Sequence, residues 1–288
     1  MAAPLVSPHS RTAAHTRTTA GPLERLEARL ARERAVVVAF SGGADSALLA
    51  VVAHRVLADR AIAVTAVSPS LPAAERRAAA AFACRHGIPH VEVCTDEADR
   101  PGYVANGADR CAHCKSALLD ALAPVATLSG GVVALGTNLD DLGDHRPGQA
   151  AAAARGAIAP YVDAGLTKAD VRATSAELGL ETADKPAAAC LASRVAYGDP
   201  VTPEVLARIE AAEDALHALG HPVCRVRVHG GGTVARIELP VEGIEAAIAR
   251  RAEITAAVRA AGFAFCTLDL DGFASGRMNV LLGMPAPR

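Results

Sequence analysis

Phe40-Ser41-Gly42-Gly43-Ala44-Asp45-Ser46 is the stretch on which the reading of the fold depends. Ala35 to Phe40 (AVVVAF) precedes it, a short apolar run of the kind that forms a buried parallel strand. Ala47 to Ala58 (ALLAVVAHRVLA) follows and reads as a buried helix. The unit is therefore a strand, a tight glycine turn and a helix N-terminus. Gly42 and Gly43 remove side chains where a backbone must come close to a ligand. The first helical turn offers unpaired N–H groups and the positive end of a dipole, which suits a phosphate. Ser41 and Ser46 add hydroxyl donors, and Asp45 can hold a Mg²⁺ that neutralises phosphate charge. No Lys-Ser/Thr pair follows the glycines, so this is not a Walker A loop.

Outward from this turn, strand and helix patterns alternate. Leu23 to Arg34 reads as an amphipathic helix leading into the first strand, and Ala61 to Ser68 as a second strand. Pro69 and Pro72 frame a turn, and Ala73 to His86 reads as a helix closed by Gly87. His90 to Cys94 and Gly131 to Gly136 give a third and a fourth strand. This alternation predicts an α/β fold, a parallel sheet with helices on both faces, with ligands beyond the carboxyl ends of the strands. Ser68-Pro69 and Gly136-Thr137-Asn138-Leu139-Asp140-Asp141 stand at such ends. The polar loop 136–148 holds Asp140, Asp141 and Asp144, with Asp163 further on. Long polar loops at strand ends are disproportionately functional, and Thr137, Asn138 and Asp141 are placed to meet a nucleotide or its metal.

Two further segments carry chemistry. Asp109-Arg110-Cys111-Ala112-His113-Cys114-Lys115 sets a C-x-x-C at the start of a helix expected over Cys114 to Leu122. Two sulfurs there can reach one metal, or they can form a redox dithiol. Two cysteines do not complete a metal site, and Cys190, between Lys185 and Arg194 in DKPAAACLASR, is the candidate third. Neighbouring cations favour a thiolate. Cys84, Cys94, Cys224 and Cys266 lie in apolar patterns and are expected to be small buried hydrophobes.

Beyond Thr202 the pattern changes. Thr202-Pro203 opens a helix running to about Leu219, with Gly220 after it. Val223 to His229 and Thr233 to Leu239 alternate as a hairpin, Val241 to Ala261 reads as one helix, and Phe263 to Leu270 as a last strand. This is a small α+β unit. Arg225 and Arg227 fall on one face of the hairpin, where paired guanidiniums suit a phosphate or carboxylate, or simply form a charged outer face. The expected division is a disordered tail over 1–22, a nucleotide domain over 23–190 and the small domain over 191–288.

The 288 residues are 51% hydrophobic with a formal charge of −2, a composition with ample apolar material for two cores and no global positive field for nucleic acid. Seven cysteines without a secretion signal argue for a reducing cytoplasm. No uncharged apolar run approaches the ~20 residues of a membrane helix.

S-G-G-A-D-S resembles the PP-loop of the ATP pyrophosphatases, which cleave ATP between its α and β phosphates and adenylate a substrate. With DRCAHCK, GTNLDDLGDHRPG, the AGLTKADVR of 164–172 and DKPAAACLASRVAYG of 184–198, the resemblance narrows to the LarE family. These are ATP-dependent sulfur transferases in assembly of the nickel-pincer nucleotide cofactor. The resemblance covers about residues 22–280. It implies a Rossmann-like PP-loop domain, ATP and Mg²⁺ as cofactors, and pyridinium-3,5-biscarboxylic acid mononucleotide as substrate. It implies nucleotide contacts from Ser41, Gly42, Gly43, Asp45, Ser46, Ser68, Gly136, Thr137, Asn138, Asp141 and Arg194. It puts the sulfur chemistry at Cys190, the substrate phosphate at Arg225 and Arg227, and a divalent metal at Asp45 and Glu213. In members that also have the C-x-x-C, Cys111, Cys114 and Cys190 would carry a [4Fe-4S] cluster. Otherwise Cys190 gives up its own sulfur. The other enzymes of cofactor assembly are the implied partners, and a homotrimer or hexamer the implied assembly. A PP-loop tRNA thiolase and a non-catalytic ATP-binding sensor are the rival readings. The charge balance speaks against the first, and pyrophosphate release would exclude the second.

Overall fold

The computed structural model describes residues 20–143, 152–186, 188–274 and 276–283. Residues 1–19 of the expected tail, Asp144 and the remainder of the 136–148 loop beyond Gly143 lie outside them, and the end of that expected tail is instead helical, because Gly21 caps and Pro22 opens the first helix.

Helix α1 (Pro22–Leu30) leads into β1 (Val36–Ala39), and α2 (Ala44–Leu57) starts directly beyond the glycine turn. Then come β2 (Ala61–Val67), α3 (Ala73–Arg85), β3 (His90–Cys94), the short α4 (Pro101–Val104), the long α5 (Arg110–Ser129) and β4 (Val132–Ala134). The four strands are parallel in the order β3-β2-β1-β4. The alternation expected of a sheet covered on both faces is visible in β1. Val36 and Val38 pack with Leu26, Leu48 and Phe82 of α1, α2 and α3, whereas Val37 packs with Leu122 of α5. The chain steps outward from β1 to β3 and then crosses to the other side of β1 for β4. The order therefore reverses between β1 and β4, which opens a crevice at the carboxyl ends of those two strands.

Helices α6 (Pro160–Asp163) and α7 (Lys168–Glu177) complete this layer. The α7 N-terminus is fixed by a capping box in which Thr167 accepts from the Asp170 N–H and Asp170 reaches back to Thr167. The second unit contains α8 (Pro203–Ala218), β5 (Arg225–His229), β6 (Val234–Glu238), α9 (Ile244–Ala249), α10 (Arg251–Ala260) and β7 (Phe265–Leu268). Its sheet has the order β5-β6-β7, antiparallel then parallel. Leu191, Val195, Leu206, Val226, Val228 and Val258 share its core, joined by Tyr103 of α4.

Two expectations are corrected. The single helix over 241–261 is broken at Arg250, whose guanidinium donates to the Leu219 carbonyl at 2.5 Å and whose backbone leaves the helical region. Cys84 and Cys94 are exposed rather than buried, because α3 and the edge strand β3 turn them outward; Cys224 is buried as expected and Cys266 half-buried.

Candidate active site

The glycine turn lies in the crevice between β1 and β4. Gly42 has φ +70°, and a Cβ there would stand 3.0 Å from the Ala79 Cβ, so glycine is required on both conformational and steric grounds. Ser46 closes the turn on itself: its Oγ accepts from the Ser41 N–H at 3.2 Å and donates to the Gly43 carbonyl at 3.1 Å. Across the crevice, a Cβ on Gly136 would come within 3.2 Å of the Asp45 Cβ and 3.3 Å of the Ser46 nitrogen. The end of β4 thus packs directly on the first turn of α2. The loop after it is tied down locally: the Asn138 N–H donates to Asp141, and the Asp140 N–H to the Asn138 side chain.

A cavity of about 680 Å³ opens here, lined by Ser41, Gly43, Asp45 and Ser46 on one side and by Gly136, Thr137, Asn138 and Asp141 on the other. Most of the residues expected to meet a nucleotide are gathered in it. The sequence reading missed two lysines. Lys168, from the first turn of α7, places its Nζ 2.5 Å from Asp45 Oδ2, and Asn138 donates to the other oxygen of Asp45 at 3.3 Å. Lys185 donates to the Gly42 carbonyl at 3.0 Å and to Glu75 at 2.6 Å. These supply the positive charge that a Walker A lysine supplies from within its loop. The cue was the lysine in AGLTKADVR, which sequence alone does not bring to the turn.

A second cavity, of about 340 Å³, shares Ser41, Gly43, Asp45 and Lys168 with the first and reaches Ser68, Cys114 and Cys190. Helix α5 begins at Arg110, a turn earlier than expected, so Cys111 and Cys114 both project from its start. Cys114 is half-buried, and its thiol donates to the buried carboxylate of Glu97 at 3.1 Å. Burial and the Glu97 charge push that thiol well above the ordinary range. Cys190 is open to the cavity and enclosed by protein elsewhere. Burial raises its thiol, against the lowering charge of Arg110. Arg110 is itself buried and, among the described residues, has no carboxylate partner, donating to the Asn106 side chain and the Ala192 carbonyl.

The backbone around Cys190 is held from both units. The Leu191 N–H donates to the Ser70 carbonyl at 2.9 Å, and Arg194 donates to the carbonyls of Ala189 and Cys190. Arg194 also grips Glu213 with two 3.0 Å bonds, and Glu213 accepts the Val226 N–H. Arg194 and Glu213, expected as a nucleotide contact and a metal ligand, are thus buried and bonded to each other, and neither lines either cavity. Arg227 is buried against Glu238 and the Ser193 carbonyl. Arg225 is half-buried over the Phe273 ring and, among the described residues, has no carboxylate partner.

A single oxygen-bound cation fits Asp45, since Mg²⁺ is commonly held by one or two carboxylates plus substrate phosphates. Among the described residues, no three His, Cys, Asp or Glu side chains gather to hold one metal ion. Cys111, Cys114 and Cys190 have the thiolate donor type of an iron–sulfur cluster but are not drawn into one such group: Cys114 and Cys190 line the second cavity and Cys111 lines neither.

A family model for asparagine synthase matches residues 24–106, the part that contains the glycine turn. The pyridinium-3,5-bisthiocarboxylic acid mononucleotide synthase of Lactiplantibacillus plantarum is 36% identical over 246 residues, 85% of this chain and 88% of its own length. This chain belongs to the LarE family. An uncharacterized protein of Synechocystis is 44% identical over 249 residues, 85% of this chain and 92% of its own length. An uncharacterized protein of Methanocaldococcus jannaschii is 24% identical over 245 residues. Among the described residues of this LarE-family chain, no helix is long and apolar enough to cross a membrane.

Proposed function

We propose that this chain is an ATP-dependent sulfur transferase that adenylates a carboxylate of pyridinium-3,5-biscarboxylic acid mononucleotide and converts it to a thiocarboxylate. The observation that carries the reading is that the two cavities share Ser41, Gly43, Asp45 and Lys168 in their walls. The glycine turn faces both, and Cys114 and Cys190 line the second. A phosphate at the turn and a sulfur from the cysteines can therefore approach one carboxylate.

The chemistry follows from what a carboxylate lacks. It is a poor acyl electrophile until its oxygen attacks the α-phosphorus of ATP and pyrophosphate departs. Sulfur then attacks the acyl carbon and AMP leaves. The α2 N-terminus, Ser41, Ser46 and the two lysines would hold the pyrophosphate as its charge develops. Asp45 would release Lys168 and hold Mg²⁺. Arg225, which lacks a carboxylate partner, would take the substrate phosphate with Arg227 beside it.

For the sulfur source, Cys111, Cys114 and Cys190 would hold a [4Fe-4S] cluster. Such a cluster would leave one iron open to an external sulfide, the sulfur to be transferred. The accessibility of Cys190 supports a second reading in which its own sulfur is used. Its thiolate would displace AMP, and loss of the Cα proton with cleavage of the Cβ–S bond would leave dehydroalanine and the thiocarboxylate. Anaerobic purification with iron and sulfide assays, on the protein and on Cys111→Ala, separates the two. About four irons per chain, lost in the variant, support the cluster. An iron-free active protein whose Cys190 peptide is roughly 34 Da lighter after turnover, the mass of H₂S, supports the second. Failure to release pyrophosphate with the dicarboxylate substrate would overturn both. A homo-oligomer working with the other cofactor-assembly enzymes in the cytoplasm completes the reading.

A further inference from the structure

We propose that Glu97 is the counter-charge for the positively charged ring of the substrate, and so a specificity-determining residue of the smaller cavity. The inference rests on the pyridinium substrate proposed above. Three carboxylates line this cavity: Asp45, Glu75 and Glu97. Asp45 is paired with Lys168 at 2.5 Å and Glu75 with Lys185 at 2.6 Å. Among the described residues these are the only lysines in this cavity wall, and both are engaged. Glu97 has no ion pair among the described residues. Its oxygens accept from the Ser70 hydroxyl at 2.5 Å and the Cys114 thiol at 3.1 Å, both neutral donors. Yet it is the most deeply buried of the three, 3% exposed.

A buried carboxylate without a cation is costly, so such groups are normally paired. Here the missing charge has a place to come from. The wall of the same cavity includes Ala66, Leu71, Pro72 and Leu118, an apolar setting in which a flat ring can lie. A pyridinium whose nitrogen bears the ribose has a permanent charge but no N–H. It cannot be recognised by a hydrogen bond to that nitrogen, only by an anion close to the ring in a dry site. Thr95 lines the same cavity, and its Oγ1 is buried without a hydrogen-bond partner among the described residues. A divalent cation suits the place less well, because it needs several oxygen ligands and Glu97 is flanked by a hydroxyl and a thiol that both donate.

The test compares two probes of the same outline on the full-length protein: a pyridinium-3-carboxylate mononucleotide and its 1,4-dihydro form, whose ring carries no charge. Calorimetry on the wild type should show the cationic form binding about tenfold more tightly or better. Glu97→Gln should abolish that preference while leaving ATP affinity and the affinity for the dihydro form within about threefold, and Glu97→Asp, which keeps the charge, should retain it. Equal binding of both forms by the wild type overturns the role of Glu97 and leaves the substrate class standing. Binding of neither form overturns the substrate reading and this inference together. A Glu97→Gln protein that keeps the preference but loses iron on anaerobic purification assigns the carboxylate to the metal instead. Should Glu97→Gln not fold, loss of preference in the wild type or in Glu97→Asp still overturns the proposal.

Discussion

Lys168→Met separates stability from chemistry at the glycine turn. The Lys168–Asp45 contact is short, 2.5 Å, but the two side chains are 36% and 30% exposed. A pair so open to water is worth about 0–1 kcal/mol. In a chain of this size 1 kcal/mol moves the melting temperature by about 2–4 °C, so the variant should melt within a few degrees of wild type. Its catalytic cost should be far larger. Among the described residues Lys168 is the one lysine that lines both cavities, and its ammonium pairs with Asp45 in the first turn of α2. Removing a charge aimed at the group that becomes more negative in the transition state typically costs about 10²–10³ in rate. The assay is pyrophosphate release from ATP with the dicarboxylate mononucleotide, run beside thermal unfolding of the same samples. A variant that releases pyrophosphate within threefold of wild type would refute the placement of phosphates at this lysine. So would a large fall in melting temperature, which would make the pair structural.

The neighbouring positions respond differently. Glu213→Ala leaves the buried Arg194 uncompensated, which costs about 3–5 kcal/mol, so a melting-temperature drop of roughly 6–20 °C is expected; an unchanged melting temperature with lost metal would make Glu213 a ligand instead. Gly136→Ala sets a methyl 3.2 Å from the Asp45 Cβ and should destabilise by about 1–3 kcal/mol while weakening ATP binding, measured by calorimetry. In metal-free protein, Cys190 should remain a thiol at neutral pH and react with iodoacetamide faster as pH rises, with a midpoint above the ordinary thiol value of about 8.5. Arg110 lowers that thiol, so Arg110→Gln should move the midpoint higher still, and a downward shift would contradict the placement.

How much of this was legible in the sequence differs by region. The turn 40–46 could be read because its signals are local: an apolar strand, two glycines and a helix start within a few residues. The polar loop after β4 could be placed at the same end because parallel strands put all their carboxyl ends together. Lys168 and Lys185 could not be assigned, since they reach the turn only after the chain has folded back over more than a hundred residues. Glu97 gave no cue at all: in TDEAD it looks like one more surface acid, and it is buried only because the segment tucks under α5. The helix over 241–261 was misread at Arg250, where a tertiary hydrogen bond to Leu219 overrides local propensity. Arg225 and Arg227 were rightly set on one face, but their pattern could not tell that Glu238 lies opposite Arg225 in the register while its carboxylate takes Arg227.

The central claim is that ATP cleavage at the glycine turn activates a carboxylate for sulfur. The most direct measurement is an anaerobic incubation of the protein with ATP, sulfide and pyridinium-3,5-biscarboxylic acid mononucleotide, followed by mass spectrometry of the small molecules. The account predicts AMP and pyrophosphate in equal amounts and a product in which a carboxylate oxygen has been replaced by sulfur. ADP and phosphate in their place, or AMP formation with the dicarboxylate unchanged, would contradict it.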